Sequence, residues 1–105
     1  MTELKNVTLT KAANVYFDGN VTSRKVTLAD DSVVTLGIMM PGEYTFATAE
    51  KELMEIIAGE VEILLPNETQ WQSISAGGHF YVDADAKFDI KVKTLADYCC
   101  SYIAA

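Results

Sequence analysis

The chain reads as an all-β sandwich or barrel. Apolar residues alternate with polar ones at a period of two, Gly, Pro, Asn and Asp clusters interrupt the alternation, and the short runs recur at roughly eight-to-twelve-residue intervals. One apparent exception lies at residues 48–57, where Ala49, Glu50, Lys51, Glu52, Leu53 and Met54 are good helix formers. Gly59 and the apolar run behind it suit a hairpin better, so this segment too is read as extended.

Taken in order, the turn Asp18-Gly19-Asn20 opens a strand over residues 21–28, and Asp30-Asp31-Ser32 breaks it before a second over 33–40. Pro41-Gly42 turns the chain into 43–48. Residues 52–57 and 61–65 flank Gly59, and Pro66-Asn67 closes the pair. Residues 71–74, 80–82, 88–92 and 98–103 complete a set of nine. No internal repeat, low-complexity stretch or linker divides them, so a single domain is expected, with residues 1–14 as a leader and 15–103 as the barrel.

Composition narrows the function. The chain has 105 residues, half of them hydrophobic, with eight Lys and Arg against fifteen Asp and Glu. A net charge of −7 and a pI near 4.5 make a nucleic-acid partner a poor expectation, because a phosphate backbone demands a basic footprint. No stretch approaches a membrane span, and the first seventeen residues lack the apolar run of a signal peptide. Cys99 and Cys100 are adjacent and point to opposite faces of a strand, so they cannot form a disulfide framework. They read as reduced thiols of a cytoplasmic protein.

Two segments resemble the motifs of cupins (RmlC-like proteins), small double-stranded β-helix or jelly-roll barrels. In the first, Gly37 opens the motif, Tyr44-x-Phe46 stands where a cupin carries its paired histidines, and six residues separate Glu52 from Gly59. Glu50 competes for the acidic position. The second motif maps onto Gly77, Asp83, Asp85 and Phe88, without its Pro, its second Gly or its His. Cupin metals are held by imidazoles and a carboxylate, and a phenyl ring has no lone pair to give, so the resemblance implies a barrel without a metal. The sole histidine, His79, is off the ligand register and reads as an exposed turn residue.

A narrower likeness is more specific. The run from Met40 to Glu50, followed by Glu52, Met54, Gly59 and Leu64-Leu65-Pro66, is similar to the pyrimidine/purine nucleoside phosphorylase family of small single-domain cupins. Trp71-Gln72, Ala76-Gly77, Phe88 and the ending Tyr98-Cys99-Cys100-Ser101-Tyr102 fit the same family. The resemblance implies a metal-independent pentosyltransferase. Nucleoside and inorganic phosphate would give α-D-ribose 1-phosphate and a free base, reversibly and with broad base specificity, with no cofactor beyond the phosphate co-substrate. A non-catalytic cupin that binds a small ligand is the alternative, and a metal-dependent oxygenase or isomerase would need the missing histidines.

On this reading Glu52 and Glu50 are the catalytic candidates, able to stabilise a cationic sugar or hold its hydroxyls; a solvated edge charge is the other reading of each. Tyr44, Phe46 and Phe88, with Thr48, are the candidate substrate-binding residues. Stacking on such rings tolerates any base and contributes about 1–3 kcal/mol per base; filling a small barrel as core is the alternative role. For phosphate, Arg24, Lys51, Lys87 and a backbone nest at Gly77-Gly78 are the options. A barrel this small is expected to pair with a twin as a homodimer, through the strands around residues 21–28. Size-exclusion with light scattering should therefore give twice the chain mass of 11.5 kDa, and a value equal to the chain mass would contradict it.

Overall fold

A computed structural model describes residues 3–103 and contains eleven strands. They are β1 (Thr8–Leu9), β2 (Asn14–Tyr16), β3 (Val21–Thr27), β4 (Val33–Met39), β5 (Gly42–Ala47) and β6 (Lys51–Ala58). After these come β7 (Glu60–Leu64), β8 (Gln72–Ser75), β9 (His79–Val82), β10 (Lys87–Val92) and β11 (Ala96–Ile103). All nine expected strands are present, with ends displaced by at most two residues, and the helix-prone segment is strand β6. The expected leader holds β1 and only the first residue of β2, and both strands pair with β3. That pairing is secured by the Thr10 amide donating to the Lys25 carbonyl at 2.9 Å and by the Asn14 side-chain amide donating to Ser23 Oγ at 3.3 Å.

The strands form two antiparallel sheets. One runs β1-β3-β4-β11-β6-β9, with β2 also on β3, and the other runs β5-β10-β7-β8. Their facing sides make the core from Val21, Met39, Ile56 and Val82 of the first sheet and Val61, Ile63 and Ile90 of the second, each at most 1% exposed. Burial of such a side chain stabilises the fold by about 1.5–3 kcal/mol. The strand expected to meet a twin, β3, has one edge on β4 and the other on β1 and β2, so neither edge is free.

The chain changes sheets at the punctuation read from sequence. Gly59 sits at a φ of +95°, which favours glycine, and a Cβ there would come within 2.4 Å of the Leu95 carbonyl oxygen. The return from β9 to β10 is pinned by Thr48, whose buried hydroxyl donates to the Asp83 carbonyl at 2.6 Å and accepts from the Ala86 amide at 3.0 Å.

Gly37 holds the tightest crossing in the first sheet. It lies opposite Ser23 on β3 and Tyr98 on β11, and a Cβ there would sit 1.9 Å from the Thr22 carbonyl oxygen and 2.9 Å from the Tyr98 hydroxyl. The missing side chain lets that hydroxyl donate to the Thr22 carbonyl at 3.1 Å, so the buried phenol is satisfied. Gly37→Ala forces backbone apart at this crossing. We expect a loss of about 1–3 kcal/mol, seen in a thermal melt as a fall in Tm of roughly 4–8 °C per kcal/mol at this size; an unchanged Tm would refute the steric argument.

Candidate functional site

Between the sheets lies a hollow of about 440 Å³, a size suited to a small ligand. Period-two alternation gives its two walls opposite character. From the second sheet come Phe46 and Phe88, directly paired across β5 and β10 and stacked with centroids 5.7 Å apart. The first sheet supplies Ser23, Thr35, Glu52, Tyr98, Cys100 and Tyr102, with Met39 and Met54 among them. Tyr16, the last residue of β2, and Phe17, in the turn before β3, stand at the rim.

Phe17 is a non-glycine residue at φ +52°, an uncommon conformation for a bulky side chain. Its carbonyl accepts from both the backbone and the side-chain amide of Asn20, at 3.1 and 2.9 Å. Its ring packs 5.0 Å from Tyr44 and 5.5 Å from Phe46. The aromatic row therefore runs from Phe17 at the surface through Phe46 and Phe88 to Phe80, whose ring centroid is 5.7 Å from that of Phe88.

The sequence candidates separate on this geometry. Phe46, Phe88 and Glu52 line the hollow. Tyr44 is buried against Phe17 and Phe46 behind the wall, its hydroxyl donating to the Met40 carbonyl at 2.6 Å. Thr48 is outside the hollow, its hydroxyl engaged in the Asp83–Ala86 clamp. Glu50 is exposed and lines a neighbouring hollow with Lys25 and Tyr102. His79 is exposed at the start of β9, edge-on to Tyr81.

The phosphate candidates lie elsewhere. Arg24 is exposed and its Nε donates to the Lys11 carbonyl; Lys51 sits over the Tyr81 ring; Lys87 is exposed. The Gly77 and Gly78 amides are spent on the Ile56 and Ser75 carbonyls, at 2.8 and 2.9 Å, so they form no open nest. Among the described residues, no lysine or arginine lines the aromatic hollow.

Sequence reading passes over the polar wall. Tyr98, Cys100 and Tyr102 share one face of β11, a pattern visible in the alternation, but their partners are distant in sequence. The register sets Thr35 beside Cys100 and Glu52 beside Tyr102. Tyr102 and Thr35 hydroxyls stand 3.4 Å apart, long for an O–H···O bond, which leaves both able to engage a ligand.

Electrostatics follow from burial. Glu52 is half-buried, and loss of water raises its carboxyl above the usual carboxylate range; a hydrogen bond from the Cys100 thiol works the other way, and Glu50's charge raises it further. Cys100 is pushed up to about 12, first by burial and then by the Glu52 charge. Tyr102 is also pushed up to about 12, chiefly by burial. The thiol and the phenols of this wall therefore stay protonated at neutral pH, and among the described residues Glu52 is the one charged side chain lining the hollow.

The positions of the cupin ligands do not fit a metal: two are carbon rings, and the Tyr44 hydroxyl is turned to Met40. Among the described residues, no group of three His, Cys, Asp or Glu could hold one.

A family model described as pyrimidine/purine nucleoside phosphorylase matches residues 11–102. The chain belongs to that family. A curated relative of that name from Colwellia psychrerythraea is 64% identical over 104 residues, covering 99% of this chain and all of its own. Another of the same name, from Hydrogenovibrio crunogenus, is 60% identical over 98% of this chain and 99% of its own. Among solved structures, a protein of unknown function from an Acinetobacter species superposes with a TM-score of 0.93 at 35% identity, over 96% of this chain and 98% of that one. An RmlC-like cupin from Shewanella frigidimarina aligns at a TM-score of 0.70 and 12% identity, over 90% of this chain and 84% of that one. The fold is a cupin.

The raised Glu52 carboxyl has a thermodynamic signature. A group that binds its proton more tightly when folded favours the folded state below its unfolded pKa, and that contribution is lost as pH rises through the folded pKa. Glu52→Gln removes the cost of holding a charge in the hollow. The variant should melt no lower than the natural chain at pH 7–8, with the difference shrinking below the unfolded carboxylate range; a large loss of Tm at neutral pH would show that Glu52 is a structural charge instead.

Proposed function

We propose that the hollow performs reversible phosphorolysis of purine and pyrimidine nucleosides without a metal or other cofactor. Family membership supports nucleoside phosphorylase chemistry in general. The observation that carries the finer reading is the pairing of one half-buried carboxylate, Glu52, with a stacked aromatic wall in one hollow.

In the reaction the bond from the sugar C1′ to the base nitrogen breaks while an oxygen of hydrogen phosphate bonds to C1′. The phosphate proton ends on the departing base, so the products are α-D-ribose 1-phosphate and free base. Positive charge builds on the sugar ring as the first bond stretches, as in glycoside cleavage. A carboxylate held in a partly dry site opposes that charge more strongly than one in water. Glu52 takes this role, and the protonated Tyr102 and Thr35 hydroxyls lie beside it to hold the pentose.

The base lies against Phe46 and Phe88. A ring face reads no hydrogen-bond edge, whereas edge-reading contacts would discriminate strongly between bases. Broad base acceptance follows from this wall.

Incubation with uridine or adenosine, phosphate and a chelator should release free base and ribose 1-phosphate. Glu52→Gln should lower turnover by well over about tenfold, in line with loss of one electrostatic stabiliser, with folding intact. Nucleoside binding without turnover by the natural chain would favour a non-catalytic ligand-binding cupin; release of base at the same rate by the Gln variant would remove Glu52 from the chemistry.

A further inference from the structure

Inorganic phosphate has no cationic partner in the aromatic hollow, and its charge would meet Glu52 there. We propose that phosphate binds instead against Lys25, in the adjacent polar hollow, with the Thr35 and Tyr102 hydroxyls between it and the sugar. This deepens the phosphorylase reading and rests on it.

The second hollow measures about 550 Å³, and Thr35 and Tyr102 line both. Lys25 lies on the inward-facing register of β3, in the alternation of Val21 and Ser23, directly opposite Thr35 on β4. Adjacent strands are about 4.8 Å apart, so its four-carbon stem starts one strand from the hydroxyl pair. Among the described residues its ammonium has no carboxylate within 4.0 Å, whereas Lys93 is paired with Glu62 at 3.2 Å and Lys91 lies over the Trp71 ring. Asn14 adds a side-chain amide to the same hollow; one of its protons goes to Ser23 Oγ, leaving the other.

Stereochemistry favours the same placement. A displacement that inverts the sugar's anomeric carbon brings the nucleophile to the ring face opposite the leaving group. With the base against the Phe46–Phe88 wall of one sheet, that face looks toward the other sheet, where Lys25 and Thr35 stand.

Asp31 and Glu50 also line the second hollow, and both oppose an anion. Their presence makes the assignment testable in two directions. Asp31 sits at φ +68°, a conformation Asn adopts equally well, so Asp31→Asn removes charge without strain. Lys25 is exposed, so its replacement leaves the core untouched.

The experiment compares the full chain with Lys25→Gln, Lys25→Arg and Asp31→Asn. It reads KM for phosphate and for nucleoside in phosphorolysis, and ribose 1-phosphate binding by calorimetry. Lys25→Gln should raise KM for phosphate about tenfold, the scale of one lost charge-assisted contact, with KM for nucleoside unchanged. Lys25→Arg should restore most of the loss, and Asp31→Asn should lower KM for phosphate. An unchanged phosphate KM in Lys25→Gln overturns the assignment while phosphorolysis stands. If the natural chain turns over no nucleoside, the phosphorylase reading fails on its own. Calorimetry then decides for Lys25: ribose 1-phosphate binding weakened about tenfold by Lys25→Gln supports it, and equal binding or none overturns it.

Discussion

Strand β11 is paired on both sides, with β4 and β6, and its register determines which side chains see the hollow. A slip of one residue would exchange Tyr98, Cys100 and Tyr102 for Cys99, Ser101 and Ile103 and turn the polar wall outward. Gly37 fixes this register at one point, because its bare Cα admits the Tyr98 hydroxyl to the Thr22 carbonyl. Glu52 on β6 and Thr35 on β4 then take their positions from the same strand. The site is thus a property of pairing between strands rather than of any contiguous stretch of sequence.

The range of those pairings separates what is legible in the chain alone from what is not. Strand positions are legible because alternation and turn chemistry act over a few residues: Asp30-Asp31-Ser32, Pro41-Gly42 and Gly59 all sit at turns or sheet changes. Phe46 and Phe88 are legible through their likeness to known motif positions. Thr48 escapes a correct reading because its partners, Asp83 and Ala86, lie 35 and 38 residues away. Likewise the nearness of Thr35 to Tyr102, 67 residues apart, depends on both strands meeting in one sheet. The Gly77-Gly78 pair has the composition of an anion nest, but the Ile56 and Ser75 carbonyls take its amides.

The electrostatic arrangement is economical. A chain of net charge −7 repels anions at long range, yet its inner wall carries neutral polar groups and a single carboxylate. Burial keeps Cys100 and Tyr102 protonated, so the wall donates hydrogen bonds without adding charge. Burial and the nearby Glu52 charge both raise the Cys100 thiol, the opposite of what a nucleophilic cysteine needs.

The division between the sheets has an evolutionary consequence. Rings come from β5 and β10, whereas the polar groups come from β4, β6 and β11. Among the described residues, no backbone pairing joins the two sets. A lineage could therefore widen or reshape the aromatic surface by exchanging side chains on one layer while the polar layer drifts under separate selection, and new ligand ranges would arise without rebuilding the scaffold.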